Sequence, residues 1–120
     1  MELPEAEAFA RDWIRDWNGR DLEAILSHYA EDVEFQSPLA ARILGEGLSV
    51  VRGKQRLREY FQKALTASPG ELGLELLGVY RGVRSLVVHF QAPGGIGAEV
   101  MELNQAGKVQ RALAHGRPRR

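Results

Sequence analysis

"HYAEDVEFQSPLA", residues 28–40, is the stretch in which the chain changes character. It opens as the end of an amphipathic helix. Val33 and Phe35 then alternate with Glu34 and Gln36, the period of a short half-buried strand, and the alternation stops at Ser37-Pro38. A helical front and a strand-rich back meet at this point.

Upstream, Ala6, Phe9, Ala10, Trp13 and Trp17 recur at three- and four-residue spacing. That spacing predicts a helix over 4–17, with Pro4 in its first turn and Asn18-Gly19 as its stop. Asp21 is placed to cap a second, shorter helix whose apolar stripe is Leu22, Ile25, Leu26 and Tyr29. Downstream, "LAARILGEGLSVVRG", residues 39–53, has no clear period and reads as a long loop, a lid or a rim. A third helix is expected over 54–67, carrying Leu57, Tyr60, Phe61, Ala64 and Leu65 and ending at "SPG".

From there the pattern is strand-like. "ELGLELLGVY" (71–80), "RSLVVHFQA" (84–92), "IGAEVMELN" (96–104) and "KVQRALAH" (108–115) read as an antiparallel meander. Helices first and strands afterwards imply an α+β domain, with three N-terminal helices packed on a curved, mostly antiparallel sheet. A curved sheet closed at one end by helices makes a cone, a shape suited to holding a ligand. The chain of 120 residues is long enough for one such core, taken as a single domain over 1–116. The basic tail 117–120, with Arg117, Arg119 and Arg120, is read as frayed and solvated.

Composition narrows the function. Sixteen basic and sixteen acidic side chains cancel, so no overall field draws in nucleic acid or a membrane surface. The absence of cysteine removes disulfides, thiolate catalysis and Cys-ligated zinc, and it suits a cytoplasmic location. The acidic N-terminus lacks the pattern of a signal peptide, and no apolar run nears the roughly 18 residues of a membrane span. His28, His89 and His115 stand on three separate elements without ligand spacing, so no metal site is expected. His28 is expected to be exposed and His89 to face away from Leu86, Val88 and Phe90. His115 is expected on the outer sheet face unless a bulge turns it into the pocket.

Three stretches carry a family resemblance: "WIRDWNGRDLEAILSHYAEDVEFQSP" (13–38), "VRGKQRLREYFQKAL" (51–65) and "AEVMELNQAGKVQRALAH" (98–115). Together they resemble the nuclear transport factor 2-like superfamily, in its branch of SnoaL-like proteins and ketosteroid isomerases. The likeness implies a cone-shaped, cystatin-like α+β barrel. It does not imply one activity, because members include isomerases, dehydratases, epoxide hydrolases, polyketide cyclases and proteins without catalysis.

In the isomerase pattern a carboxylate base precedes a proline at the end of the first strand. Ser37 holds that position here, without useful basicity near neutral pH and with no histidine placed to activate it. The family's hydrogen-bonding tyrosine on the first helix corresponds to Trp13, which donates only. The protonated aspartate that stabilises the enolate corresponds to Glu99. Tyr29 matches a second pocket tyrosine, and Phe61 another without its hydroxyl. Steroid isomerase chemistry is therefore not expected.

Strand alternation puts Gly97, Glu99, Met101 and Leu103 on one face, which the resemblance places inside the cone. Ala112 and Ala114 then face inward beside Glu99, while Arg111 and His115 face out. A carboxyl group in an apolar cavity has a raised pKa and can donate a hydrogen bond or act as an acid. Its alternative is a structural glutamate tied to Trp13 or Tyr29.

Three functional classes follow. The first is a small-molecule binder with Trp13, Trp17, Tyr29, Phe35, Phe61 and Met101 as walls, Ser37 as a possible donor and Glu99 as anchor. The second is an enzyme on a hydrophobic carbonyl compound, with Glu99 as acid or oxyanion partner. The third is an interaction module, which a cone filled by its own rings would favour. No cofactor is implied. The resemblance also implies a homodimer formed through the outer sheet face that carries Val100 and Leu113.

Overall fold

The computed structural model describes residues 1–45 and 49–118. Part of the 39–53 segment, and Arg119 and Arg120 of the basic tail, lie outside them. The elements run α1 (Leu3–Asn18), α2 (Leu22–Leu26), β1 (Tyr29–Gln36), α3 (Pro38–Leu44), β2 (Val50–Arg52), α4 (Lys54–Ala67), β3 (Glu75–Arg81), β4 (Ser85–Ala92), β5 (Gly95–Leu103) and β6 (Val109–Pro118).

The helices start where local chemistry allows. The Glu5 carboxylate accepts the Glu2 backbone N–H at 3.2 Å across the first turn of α1. Asp21 accepts the Ala24 N–H at 3.1 Å and starts α2. Tyr29 does not extend the α2 stripe, as its spacing suggested, but opens β1. The His28 carbonyl accepts the Val109 N–H at 2.8 Å, so pairing with β6 overrides the helical period there.

The 39–53 segment is also more ordered than a loop. Ser37 caps α3 by accepting the Leu39 N–H at 3.2 Å, and Pro38 fills the first helical position. Gly45 ends the helix with φ of +69°, a left-handed stop that glycine takes without strain. Seven residues are too few to show a helical period, which is why α3 was not legible. A short strand, β2, follows and pairs with β1.

The sheet order is β2-β1-β6-β5-β4-β3, and it is open rather than closed into a barrel. Neighbours are antiparallel except β1 and β6, which run parallel. Arg117 and Pro118 pair with Ile96 and Gly95, so the expected frayed tail continues β6 as far as it is described.

Register sorts the residues into faces. Phe35, Ala112, Met101 and Leu86 form one row on the helix-covered face. Ala114, Glu99 and Val88 form the next, and Gly116, Gly97 and Phe90 the one beyond it. On the uncovered face, Val50, Gln36, Leu113, Val100, Val87 and Tyr80 line up across the whole sheet. Beside that row runs an alternating charge ladder of Arg52, Glu34, Arg111 and Glu102, paired at 3.2–3.4 Å.

Two polar contacts hold the helices in place. Arg20, at φ of +54°, donates to the carbonyls of Leu65, Ser68 and Gly70 at 2.6–3.0 Å. One guanidinium thus satisfies carbonyls at and beyond the end of α4, where the Leu65 oxygen also accepts the Ser68 N–H at 3.2 Å. His28 is not exposed as expected. Its ring lies 2.8 Å from the buried Asp16 carboxylate and edge-on to Phe9, because the α1–α2 bend folds the two helices together.

Replacing Arg20 by Ala should lower stability by about 1–2 kcal/mol in chemical denaturation. Arg20→Lys should recover only part, since an ammonium cannot span three carbonyls as the planar fork does.

Candidate functional site

Glu99 stands at the centre of the helix-covered face, between Val88 and Ala114 on the neighbouring strands. It is only 7% exposed. Above it, α1 supplies Trp13 and Trp17, β1 supplies Tyr29 and Phe35, and α4 supplies Tyr60 and Phe61. Their rings meet mostly edge to face: Trp17–Phe61 at 4.9 Å, Phe35–Phe61 at 5.3 Å and Tyr29–Phe61 at 5.5 Å between centroids. Phe90 joins from β4, 5.5 Å from Trp13.

A directed hydrogen-bond chain crosses these rings. The Trp13 Nε1–H donates to the Tyr29 hydroxyl oxygen at 3.1 Å. An indole nitrogen can only donate, so the Tyr29 oxygen must accept and its own hydrogen is free to point elsewhere. The Glu99 carboxyl lies near enough for that hydroxyl to favour its charged form. One carboxyl oxygen, Oε2, is buried with no hydrogen-bond partner among the described residues, as is Trp17 Nε1.

Burial dominates the electrostatics. Removal from water pushes Glu99 up to about 7, against the downward pull of the Tyr29 hydrogen bond. Near neutral pH the carboxyl is therefore divided between its neutral and charged forms. Burial also pushes Tyr29 well above its ordinary value, and the nearby Glu99 charge adds to that rise. Tyr60 is raised too, again by burial first and by Glu99 in addition, with the Ser37 contact opposing.

All eight residues expected at the site lie in this one core, but in different ways. Trp13, Tyr29, Phe35, Phe61 and Met101 are at most 4% exposed and pack into the rows around Glu99. Met101 sits one row deeper, between Leu86 and Ala112. Trp17 is half-buried at the edge. Ser37 spends its hydroxyl on the α3 cap and receives the Tyr60 O–H at a long 3.4 Å. Ser37 therefore starts a helix rather than standing ready as a donor.

Two rings were missed as site residues. Tyr60 reads as one more member of the α4 stripe, and only the tertiary contact with Ser37 marks it out. Phe90 alternates with Val88 on β4, and what distinguishes it is the glycine opposite, Gly97, a cross-strand partner invisible before the register is known.

The space around Glu99 is closed by the rings themselves. Two open concavities, of about 860 and 360 Å³, lie at the other end of the sheet around Arg84, Leu103, Asn104 and Gln105. The ring packing is what an interaction module leads one to expect; the unpartnered carboxyl oxygen is not. His115 stays outside, exposed, with Nδ1 3.0 Å from the Leu113 carbonyl. Among the described residues no three His, Asp or Glu side chains gather as a metal site. Nor is any described helix long and apolar enough to cross a membrane.

Comparison with known proteins agrees with this architecture. The model of the SnoaL-like domain family matches residues 10–116. A solved SnoaL-like protein of unknown function from Burkholderia thailandensis is 37% identical, covers 97% of each chain and superposes with a TM-score of 0.90. The epoxide hydrolase/cyclase-like enzyme SalBIII, of pyran ring formation in the polyether salinomycin, is 21% identical. Its alignment covers 95% of this chain and 92% of that one, at a TM-score of 0.75. An NTF-2 like protein of unknown function from Burkholderia xenovorans is 16% identical, with a TM-score of 0.72 over 98% and 87% of the two chains. At these lower identities the likeness concerns the fold. No curated protein sequence matches.

The buried carboxyl makes a prediction for stability. With Glu99 at about 7 in the folded protein against an ordinary 4.5, the folded state holds this proton more tightly than the unfolded chain. Stability from this group is greatest in acid and falls by roughly 3 kcal/mol as the pH rises through 7. Denaturation of wild type and Glu99→Gln at acid and alkaline pH should show that difference, since Gln cannot ionise.

Proposed function

We propose that this chain, which belongs to the SnoaL-like family, binds a small hydrophobic molecule whose one polar oxygen is held by Glu99. The observation that carries this reading is the Glu99 Oε2 atom, buried among aromatic rings without a partner among the described residues. An unpaired buried polar atom costs about 1–3 kcal/mol, and a ligand that pairs with it recovers that cost. Trp13, Trp17, Tyr29, Phe35, Phe61 and Met101 then act as apolar walls, in the way ligand sites combine much apolar surface with few polar groups.

The hydrogen-bond chain selects the polar group of the ligand. The Tyr29 hydroxyl favours the charge on Glu99, and Oε2, the oxygen without a partner among the described residues, is the one that carries the acid proton. A protonated carboxyl donates there, and a ketone or aldehyde oxygen is its natural acceptor. Binding requires the rings to part, and Trp17 and Phe90 are the half-buried members through which the ligand enters.

A second reading is catalytic, and the position of Glu99 near neutrality favours it, because a group that titrates at about 7 is poised to exchange protons. Proton transfer to a carbonyl oxygen would make the chain an isomerase- or cyclase-type enzyme. That chemistry needs a base as well, and Ser37, at the position where the isomerase pattern has one, is occupied in capping α3. Binding is therefore the reading adopted.

We also propose a second copy as partner. The uncovered row of Leu113, Val100, Val87 and Tyr80 is an apolar strip flanked by a charge ladder, and a homodimer packing these faces together would cover it. Sedimentation at micromolar concentration should then give the mass of a dimer, and Val100→Lys should give a monomer. A wild-type monomer would sink this proposal.

The chain has only two tryptophans, both at the site, so intrinsic emission reports directly on it. Methyl naphthyl ketone should quench that emission saturably, and more tightly at pH below about 7 than above it, because the donor is the neutral acid. Glu99→Gln, which keeps a donor, should retain binding and lose the pH dependence. Glu99→Ala should bind about tenfold more weakly. Saturable quenching that ignores all three changes would place the ligand elsewhere.

A further inference from the structure

The far end of the helix-covered face holds a feature that the anchor does not explain. Phe90 and Gly97 face each other across β4 and β5, and Gly97 faces Gly116 across β5 and β6. The Phe90 ring lies against the backbone of Gly97: a Cβ placed there would stand 2.8 Å from two ring carbons, Cε1 and Cε2, with Cζ closer still. The ring also meets Trp13, 5.5 Å away and tilted at 58°. A Cβ on Gly116, by contrast, would meet only the Ile96 carbonyl, at 3.9 Å. The floor is thus unfilled on the β6 side and filled by a ring on the β4 side. One step along β5 stands Glu99, 7% exposed and with Oε2 unpartnered, and beside it Ala114, small and only half-buried.

We infer that Phe90 is a self-ligand: its ring occupies a flat slot between Trp13 and Gly97 that the ring of a planar carbonyl compound takes when it binds, with the carbonyl oxygen reaching Glu99. This rests on the reading of Glu99 as the ligand anchor and adds the shape of the ligand to it. Glycine at 97 gives the slot its depth, because backbone alone forms that wall and any side chain would fill it. The ring that occupies the slot is half-buried, as is Trp17, whereas Trp13, Tyr29, Phe35, Tyr60 and Phe61 are at most 4% exposed, so Phe90 can leave the Gly97 backbone without unpacking those five. A space that now holds a flat phenyl ring against peptide backbone accepts another flat aromatic or conjugated ring. It rejects a globular cage of the same size.

The class of ligand is therefore a planar, conjugated ring bearing a ketone or aldehyde. Every molecule of ligand must displace Phe90, so its apparent affinity is reduced by the fraction of time the slot is empty.

The test is calorimetric titration of wild type and Phe90→Ala with methyl naphthyl ketone and methyl adamantyl ketone, which are equal in carbon count but flat and globular respectively. Phe90→Ala should bind the naphthyl ketone roughly tenfold more tightly than wild type does, and both proteins should prefer it to the adamantyl ketone. Phe90→Leu, which keeps an apolar side chain but no flat ring, should act in the same direction and stands in if the alanine variant does not fold. Gly97→Ala should weaken naphthyl ketone binding in the Phe90→Ala background by filling the slot. Unchanged or weaker binding by both Phe90 variants would overturn the inference and make Phe90 a wall, while leaving the Glu99 reading in place if wild type still binds. Equal binding of the two ketones would overturn the slot. No binding of either ketone by any of the proteins would overturn both the slot and the anchor.

Discussion

The parallel pairing of β1 with β6 is the constraint on which the rest of the structure depends. β1 belongs to the helical front of the chain and β6 is its last strand, so this ladder joins the two halves. Everything at the site follows from it. The pairing begins as Tyr29 meets Val109 and ends with Gln36 opposite Leu113. Because β6 is also the antiparallel partner of β5, the same ladder delivers Tyr29, Phe35 and Ser37 to the side of the sheet on which Glu99 stands. It also explains why Tyr29 leaves the helical stripe: the His28 carbonyl is taken by Val109 rather than by a further turn of helix. A parallel pair needs a long crossover, and α3, α4 and the antiparallel strands β2 to β5 are that crossover.

Within this frame, the carboxyl group is held by an imbalance. Burial disfavours its charge, one tyrosine hydroxyl favours it, and burial wins. The tyrosine is itself oriented by the Trp13 N–H, and beyond it the carboxyl keeps one oxygen, Oε2, without a partner among the described residues. Protein cores rarely leave such atoms unmatched, so this one calls for an explanation. Around Glu99, β5 and β6 carry Ala112, Ala114, Gly97 and Gly116, while the helices, β1 and β4 supply the large rings.

The two sheet faces have opposite characters for a simple reason. Alternation along each strand sends every second residue to the helices, and the register aligns those residues into rows. Among the described residues the helix-covered rows of β1, β6, β5 and β4 are apolar apart from the Glu99 carboxyl. The uncovered rows alternate between an apolar strip and a ladder of Arg52, Glu34, Arg111 and Glu102, whose exposed ion pairs add little stability each but fix the order of charge across four strands.

Much of this was legible in the sequence. The 54–67 helix was read with its observed bounds, the four strands of the meander were found in order, and the face shared by Gly97, Glu99 and Met101 followed from period two alone. Local periodicity carries such information because it depends only on backbone geometry within one element. Other features were out of its reach. α3 is shorter than the window in which a helical period shows. The ends of α2 and β1 were set by a hydrogen bond to a strand some 80 residues away. His28 was drawn inward by Asp16, which faces it only because α1 and α2 fold back on each other. Phe90 and Tyr60 gained their meaning from Gly97 and Ser37, partners on other elements. The sequence by itself determined which residues would be apolar, helical or extended, and that one carboxyl would lie among them. Only the tertiary structure decided which oxygen of that carboxyl is left without a partner and which ring rests in the slot beside it, because both depend on strand register, a long-range property that no local pattern encodes.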